Sequence, residues 1–185
     1  MLASPPKPSS GGTVIKLVGA RIQIAEITCD DFDQFGKVKK VASAPARAKT
    51  LSENAIKKGF AKLIGESGEF QDWGGEKNDL YTSKIRHKGK RRSIAFALKG
   101  AGTRGELTPK KLGKNGDQIQ RLFESPAQIF VVQYHGQINQ SVIAQMKEFA
   151  KAKSVSDGAL IWYGIIDGDD TDRILAAYPA TFGLK

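Results

Sequence analysis

Cysteine occurs once in the 185 residues, at Cys29, so no internal disulfide can form, and two histidines leave little for a zinc site. With no histidine close to it in sequence, Cys29 reads as a small buried apolar residue rather than a nucleophile. No run approaches the ~20 apolar residues that a membrane span requires. The glycines at 100, 102 and 105 do not match GxxxxGK[ST], which excludes a phosphate-cradling NTPase loop. Met1–Gly12 is small, polar and rich in proline and glycine, without the apolar core of a signal peptide. The expectation is therefore a flexible tail over residues 1–12, followed by one cytoplasmic domain over 13–185 without membrane contact.

Negative charge is the other scarcity. Nineteen acids face twenty-nine Lys and Arg, a net charge of +10, which points to a polyanionic partner. The excess is local: Lys84 to Lys114 holds eleven Lys or Arg and one acid, Glu106. Lys84, Arg86, Lys88, Lys90, Arg91 and Arg92, then Arg104, Lys110, Lys111 and Lys114, are the candidate nucleic-acid contacts. The asparates of 167–172 lack the glycine and distal glutamate of a calcium loop, and capping of a helix start explains them. His87 and His135 have no partners at metal or triad spacing.

Hydrophobic periodicity places the elements. Val14–Thr28 is rich in β-branched residues and reads as one or two strands. Thr50 and Glu53 have capping-box spacing ahead of a helical apolar face (Leu51, Ala55, Ile56, Phe60, Leu63, Ile64) that ends at Gly65. Asp79–Arg86 and Arg92–Lys99 read as a hairpin with HKGKR at its tip, its second strand apolar on both faces. A short helix over Asp117–Phe123, a strand at Gln128–Tyr134, a helix capped by Asn139, a strand at Ala159–Ile166 and a last helix from Asp169 or Asp170 to Tyr178 follow. This order predicts an α/β fold with a mixed sheet flanked by helices.

Antiparallel pairing brings the start of the first hairpin strand beside the end of the second, so Asp79 and Lys99 share one edge of the sheet. Such a pair suits metal-assisted phosphodiester hydrolysis, the carboxylate holding a hard cation and the lysine orienting water and offsetting phosphorane charge. A helix, an Asp at a strand start, an apolar strand ending in Lys-Gly, then helix and strand resembles the PD-(D/E)xK nuclease superfamily over about Thr50–Tyr134. The resemblance implies a restriction-endonuclease-like core and a Mg²⁺-dependent DNA endonuclease, with Mn²⁺ as an alternative, of restriction or phage-defence type. It implies Asp79 as metal ligand, Lys99 as motif lysine and Gln118 or Gln120 as the glutamine some members carry. The family's acid two before the lysine is Ala97 here, so the second ligand falls to Asp117, then Glu76 and Glu53, with Glu69 also ahead of Asp79.

Two other readings stand beside this one. Ala97 also fits a nuclease-like module that binds nucleic acid without cleaving it, alone, as a homodimer or in a larger complex. A basic adaptor for an acidic protein needs no nucleic acid. For Asp79 the bland reading is a turn residue, for Glu53 a helix cap, for Asp117 a first-turn acid, and for Lys99 a side chain that snorkels to solvent.

Overall fold

The computed structural model describes residues 21–46, 48–66 and 79–184. Its elements run β1 (Ile24–Glu26), α1 (Glu53–Ile64), β2 (Leu80–His87), β3 (Lys90–Lys99), α2 (Gln118–Phe123), β4 (Ile129–Tyr134), α3 (Gln140–Asp157), β5 (Ile161–Ile166) and α4 (Gly168–Ala177). Short 3₁₀ turns fill the approach to α1. The strands form one sheet in the order β1-β5-β4-β3-β2. Only β2 runs antiparallel; β3, β4, β5 and β1 are parallel, as the α2 and α3 crossovers require. The expected α/β class with a mixed, helix-flanked sheet is present.

Strand alternation divides the core between the two sheet faces. Ile94, Phe96 and Leu98 join Ile56, Phe60 and Ile64 of α1 and Ile174 and Leu175 of α4 on one face. Ala95 and Ala97 join Ile119 and Leu122 of α2 and Val142, Met146 and Ala150 of α3 on the other. Covered on both sides, the middle of β3 is fully buried, which is why its sequence is a continuous apolar run.

Caps set the helix ends, with one change from the sequence reading. Ser52, not Thr50, caps α1, its hydroxyl accepting from the Ala55 amide at 3.2 Å. Thr50 lies in a preceding 3₁₀ turn, so Glu53 is the first helical residue and forms no capping box with it. Gly65 ends the helix in the left-handed region, as expected. Asn139 caps α3 as read, whereas α4 starts earlier than Asp169, at Gly168, because Asp167 caps it by accepting from the Asp170 amide at 3.0 Å. Asp170 in turn pairs with Arg173 at 2.8 Å, which also holds Asp30 at 2.9 Å and pins α4 to the chain before α1. Cys29 is buried, and its thiol is pushed far up by burial and then by Asp170, consistent with a core residue.

The hairpin turn is tighter than HKGKR suggested. Lys88 and Gly89 alone make it, both at positive φ, the type I′ geometry that matches strand twist. A bulge lies between Thr82 and Ile85. Along the outer edge of β2, the Gln34 side-chain amide donates to the Lys84 carbonyl at 2.7 Å and accepts from the Arg86 amide at 2.9 Å. Asp33 accepts from the Gly89 amide at 2.8 Å.

His87, at the end of β2, is 5% exposed and stands edge-on to Trp162 with centroids 5.6 Å apart. Burial, then Lys88 and Arg92, hold its pKa below the ordinary value, against Asp31 and Asp33. The folded protein therefore binds fewer protons than the unfolded chain between that depressed pKa and about 6.5. This contribution is lost as pH falls through that window and complete above it. Melting temperature is expected to rise from about pH 5.5 to 7.5, with a shallower rise for His87→Phe.

Among the described residues no helix is long and apolar enough to cross a membrane.

Candidate functional site at the end of the hairpin

The C-terminal end of β3 gathers the site. The Asp79 amide donates to the Phe96 carbonyl at 2.9 Å, placing Asp79 directly across from the strand's last residues. Its carboxylate accepts from the Leu98 amide at 2.7 Å and from Gln118 Nε2 at 3.0 Å. Continuing the Leu80↔Phe96 register, Asp79 faces Ala97 and shares the α2 side of the sheet with Lys99. The carboxylate thus bonds an amide of the neighbouring strand and the side chain of a buried glutamine.

Lys99 does not snorkel outward. Its side chain is 15% exposed, and Nζ lies 4.0 Å from a carboxylate oxygen of Glu53. The helix start and the strand end meet through Gly100. A Cβ there would lie 2.1 Å from the Glu53 amide nitrogen and 2.7 Å from the Ser52 carbonyl carbon. The Ala101 amide bonds the Leu51 carbonyl at 3.2 Å. Glycine after the lysine lets α1 seat its first turn against β3. Gly100→Ala is expected to lower stability by roughly 2 kcal/mol through overpacking against backbone, read by urea unfolding.

The remaining candidates separate. Gln118 reaches the site from α2; it is 5% exposed, and its Oε1 is buried without a partner. Asp117, one residue earlier, lies 3.3 Å from Arg121 in an i,i+4 pair and makes no side-chain cap bond to its helix. Gln120 is exposed. Ala97, where the family pattern has an acid, is fully buried in the α2–α3 core. Glu69 and Glu76 lie outside the described residues.

Among the described residues no three His, Cys, Asp or Glu side chains group as a metal-holding set. A protein-caged ion therefore finds no donor set among the described residues, and the comparison that is left is with an ion that keeps most of its water. Mg²⁺ keeps several waters and needs one or two carboxylates plus substrate phosphate. Asp79 is a hard donor of that kind, with the unpartnered Gln118 Oε1 on the residue bonded to it, while Glu53 is a further carboxylate beside Lys99.

The basic residues fall into two places. Arg104, Lys110, Lys111 and Lys114 sit in the loop after Lys99, on the site's side of the sheet. Lys111 Nζ braces that loop by donating to the Arg104 and Glu106 carbonyls at 2.7 and 2.8 Å. The hairpin residues lie at the other end of β3: Lys90 and Lys99 bound a ten-residue strand, so about 30 Å separates them. They do not line the Asp79–Lys99 edge. Lys84 bonds Glu66 at 3.0 Å, and Arg92 stacks on Trp162 at 4.1 Å, so both serve the fold. Arg86, Lys88, Lys90 and Arg91 are exposed.

Next to Lys99 a cavity of about 620 Å³ opens at the C-terminal ends of β4 and β5, lined by Ala101, Thr103, Arg104, His135 and Asp167 among others. His135 Nε2 lies 2.8 Å from the Thr103 carbonyl, which only accepts, so this nitrogen carries the proton and the buried Nδ1 is left without a partner. The Tyr134 hydroxyl meets the carbonyls of Thr103 and Gly105 and fixes the loop over the cavity. The sequence reading passed over His135 and the Glu53–Lys99 contact. Position was the available signal: His135 directly follows a parallel strand, where α/β sheets place ligands.

No protein-family model matches the chain, and no curated protein or solved structure matches it.

Proposed function

We propose that the chain is a metal-dependent nuclease acting on DNA, built on a restriction-endonuclease-like core of the PD-(D/E)xK kind. The observation that carries the reading is that Asp79, bonded by Gln118, and Lys99 stand on one face at the same end of the sheet, with Glu53 beside the lysine. The β3–α2–β4 crossover supports the fold comparison, since it joins the lysine strand to a parallel neighbour through the glutamine helix.

The residues divide the work. Asp79, with Glu53 and Gln118 Oε1 as further oxygen donors, would hold Mg²⁺ or Mn²⁺, which supplies Lewis-acid polarisation of the phosphate. Lys99, held inside the fold, orients water for in-line attack and offsets charge on the phosphorane. Gln118 fixes the Asp79 carboxylate by its amide N–H. Arg104, Lys110 and Lys114 steady the sugar-phosphate backbone at this edge, on a loop that Lys111 braces.

A specific observation favours a second reading, a nuclease-like module that binds without cutting. The family's second acidic position is the fully buried Ala97, and Asp117 is paired with Arg121. Incubation with supercoiled plasmid and with single-stranded DNA in Mg²⁺ or Mn²⁺, with EDTA as control, separates the two. Metal-dependent nicking supports the nuclease. Salt-sensitive binding with no cleavage supports the module, and failure to bind at low salt removes both.

A further inference from the structure

The far end of the hairpin carries an arrangement that the site at Asp79 does not use. In the β2–β3 register Arg86 faces Arg91 directly. Like charges facing across a ladder destabilise it, because their side chains stand about 5 Å apart. Both residues are exposed. Among the described residues neither guanidinium has a carboxylate within ion-pair distance. Glu66, the acid whose ionisation Arg91 favours, is already engaged by Thr82 and by Lys84 at 3.0 Å. Lys88 and Lys90 flank the pair and are also exposed. Four cations around one tight turn, two of them face to face, make a place for an anion that accepts bidentate hydrogen bonds, and a phosphodiester does so.

The position of the pair adds a length. Arg91 and Lys99 are eight residues apart on β3, so their side chains leave the same face of the sheet. Eight steps along a strand span about 26 Å. At about 3.4 Å per base pair this equals roughly eight base pairs of a straight duplex. Between the two ends α2 and α3 cover that face of β3, where Ala95 and Ala97 are buried, and the strip left open is β2, with Tyr81 and Ser83 exposed, which offers little to stack a base. Tyr81 is the one aromatic side chain exposed there among the described residues, at 37%, and its hydroxyl bonds the Pro126 carbonyl. Single strands are held largely by stacking on such rings, duplexes by their phosphates.

We propose that Arg86 and Arg91 form a phosphodiester clamp, so that a nucleic-acid duplex bridges from it to the Asp79–Lys99 edge and must be about eight base pairs or longer to occupy both. The proposal rests on the nucleic-acid reading above but not on cleavage.

Its test is binding by fluorescence anisotropy in EDTA, with DNA duplexes of 5, 12 and 24 base pairs. Wild type, Arg86→Gln/Arg91→Gln and Lys110→Gln/Lys111→Gln are compared over a salt series. The clamp variant is expected to lose about tenfold in affinity for the 12- and 24-mers and little for the 5-mer. Its log-log salt slope should fall by about 1, for the one phosphate that the pair holds. Its melting temperature should match or exceed wild type, because a like-charge pair has gone. Equal loss at all three lengths, or no loss at any, overturns the clamp. So does Arg-dependent binding to phosphatidylserine vesicles without binding to duplex. A clamp that behaves as expected in a protein that never nicks plasmid refutes the nuclease alone, so the two failures are distinguishable.

Discussion

Asp79→Asn is expected to reduce plasmid nicking on the order of 10³-fold while leaving the fold intact. The substitution keeps an oxygen for the Leu98 amide, which now sits 2.7 Å from the carboxylate, and removes the charge. It also replaces one side of the contact with Gln118 Nε2, 3.0 Å away, by an amide that can present its own oxygen. Lys99→Met is expected to cost on the order of 10² to 10³ without changing DNA affinity in EDTA, because the lysine lies inside the fold beside Glu53. Gln118→Leu should have a smaller effect, shifting the metal concentration needed for half-maximal cleavage more than the saturated rate. Initial nicking rates across a Mg²⁺ titration, with thermal melts of each variant, read all three. Cleavage that survives both Asp79→Asn and Lys99→Met would remove the site assignment.

Phe60→Ala is expected to destabilise the protein by about 3–5 kcal/mol, the range for deleting a buried aromatic ring. Phe60 is fully buried on the inner face of α1. Its ring meets Phe35, Phe96 and Phe182 with centroids 6.0, 5.7 and 5.8 Å apart. These four rings join the segment before α1, the helix, strand β3 and the C-terminal turn. At about 2–4 °C per kcal/mol for a chain of this size, melting should fall by roughly 10 °C. Phe60→Leu, which refills most of the space, should cost less than half as much. Truncating half-buried Phe149 on α3 is the control and should be milder still. Because α1 also places Glu53, Phe60→Ala should weaken cleavage even below its melting temperature.

How far the sequence could be read depended on the range of the interactions. The hairpin, the crossovers and the capping of α3 and α4 follow from local rules: apolar periodicity, Asn or Asp before a helix, and a glycine at φ > 0 in the turn. Antiparallel pairing alone put Asp79 beside the end of β3, since chain geometry allows nothing else. What lay beyond reach was tertiary. The spacing gave the cap of α1 to Thr50, but Ala48–Thr50 folds into a 3₁₀ turn and Ser52 takes the Ala55 amide instead. The Glu53–Lys99 contact depends on that choice. Charge was the most misleading signal. Lys84 to Lys114 is one basic run in sequence, but strand β3 passes through its middle and carries its halves to opposite ends of the sheet. Lys84, Arg92 and Lys111 then spend their charge on Glu66, Trp162 and loop carbonyls.

The Gln34 amide lying along β2 has a consequence for self-association. An edge strand with open amides and carbonyls is a template on which another molecule can add a strand, the first step of aggregation or swapping. Here one side chain satisfies the Lys84 carbonyl and the Arg86 amide as a sixth strand would. The bulge and the positive charges beside it spoil the register for anything longer. The protein thus carries its own stopper at that rim, and strand addition there would first have to displace Gln34.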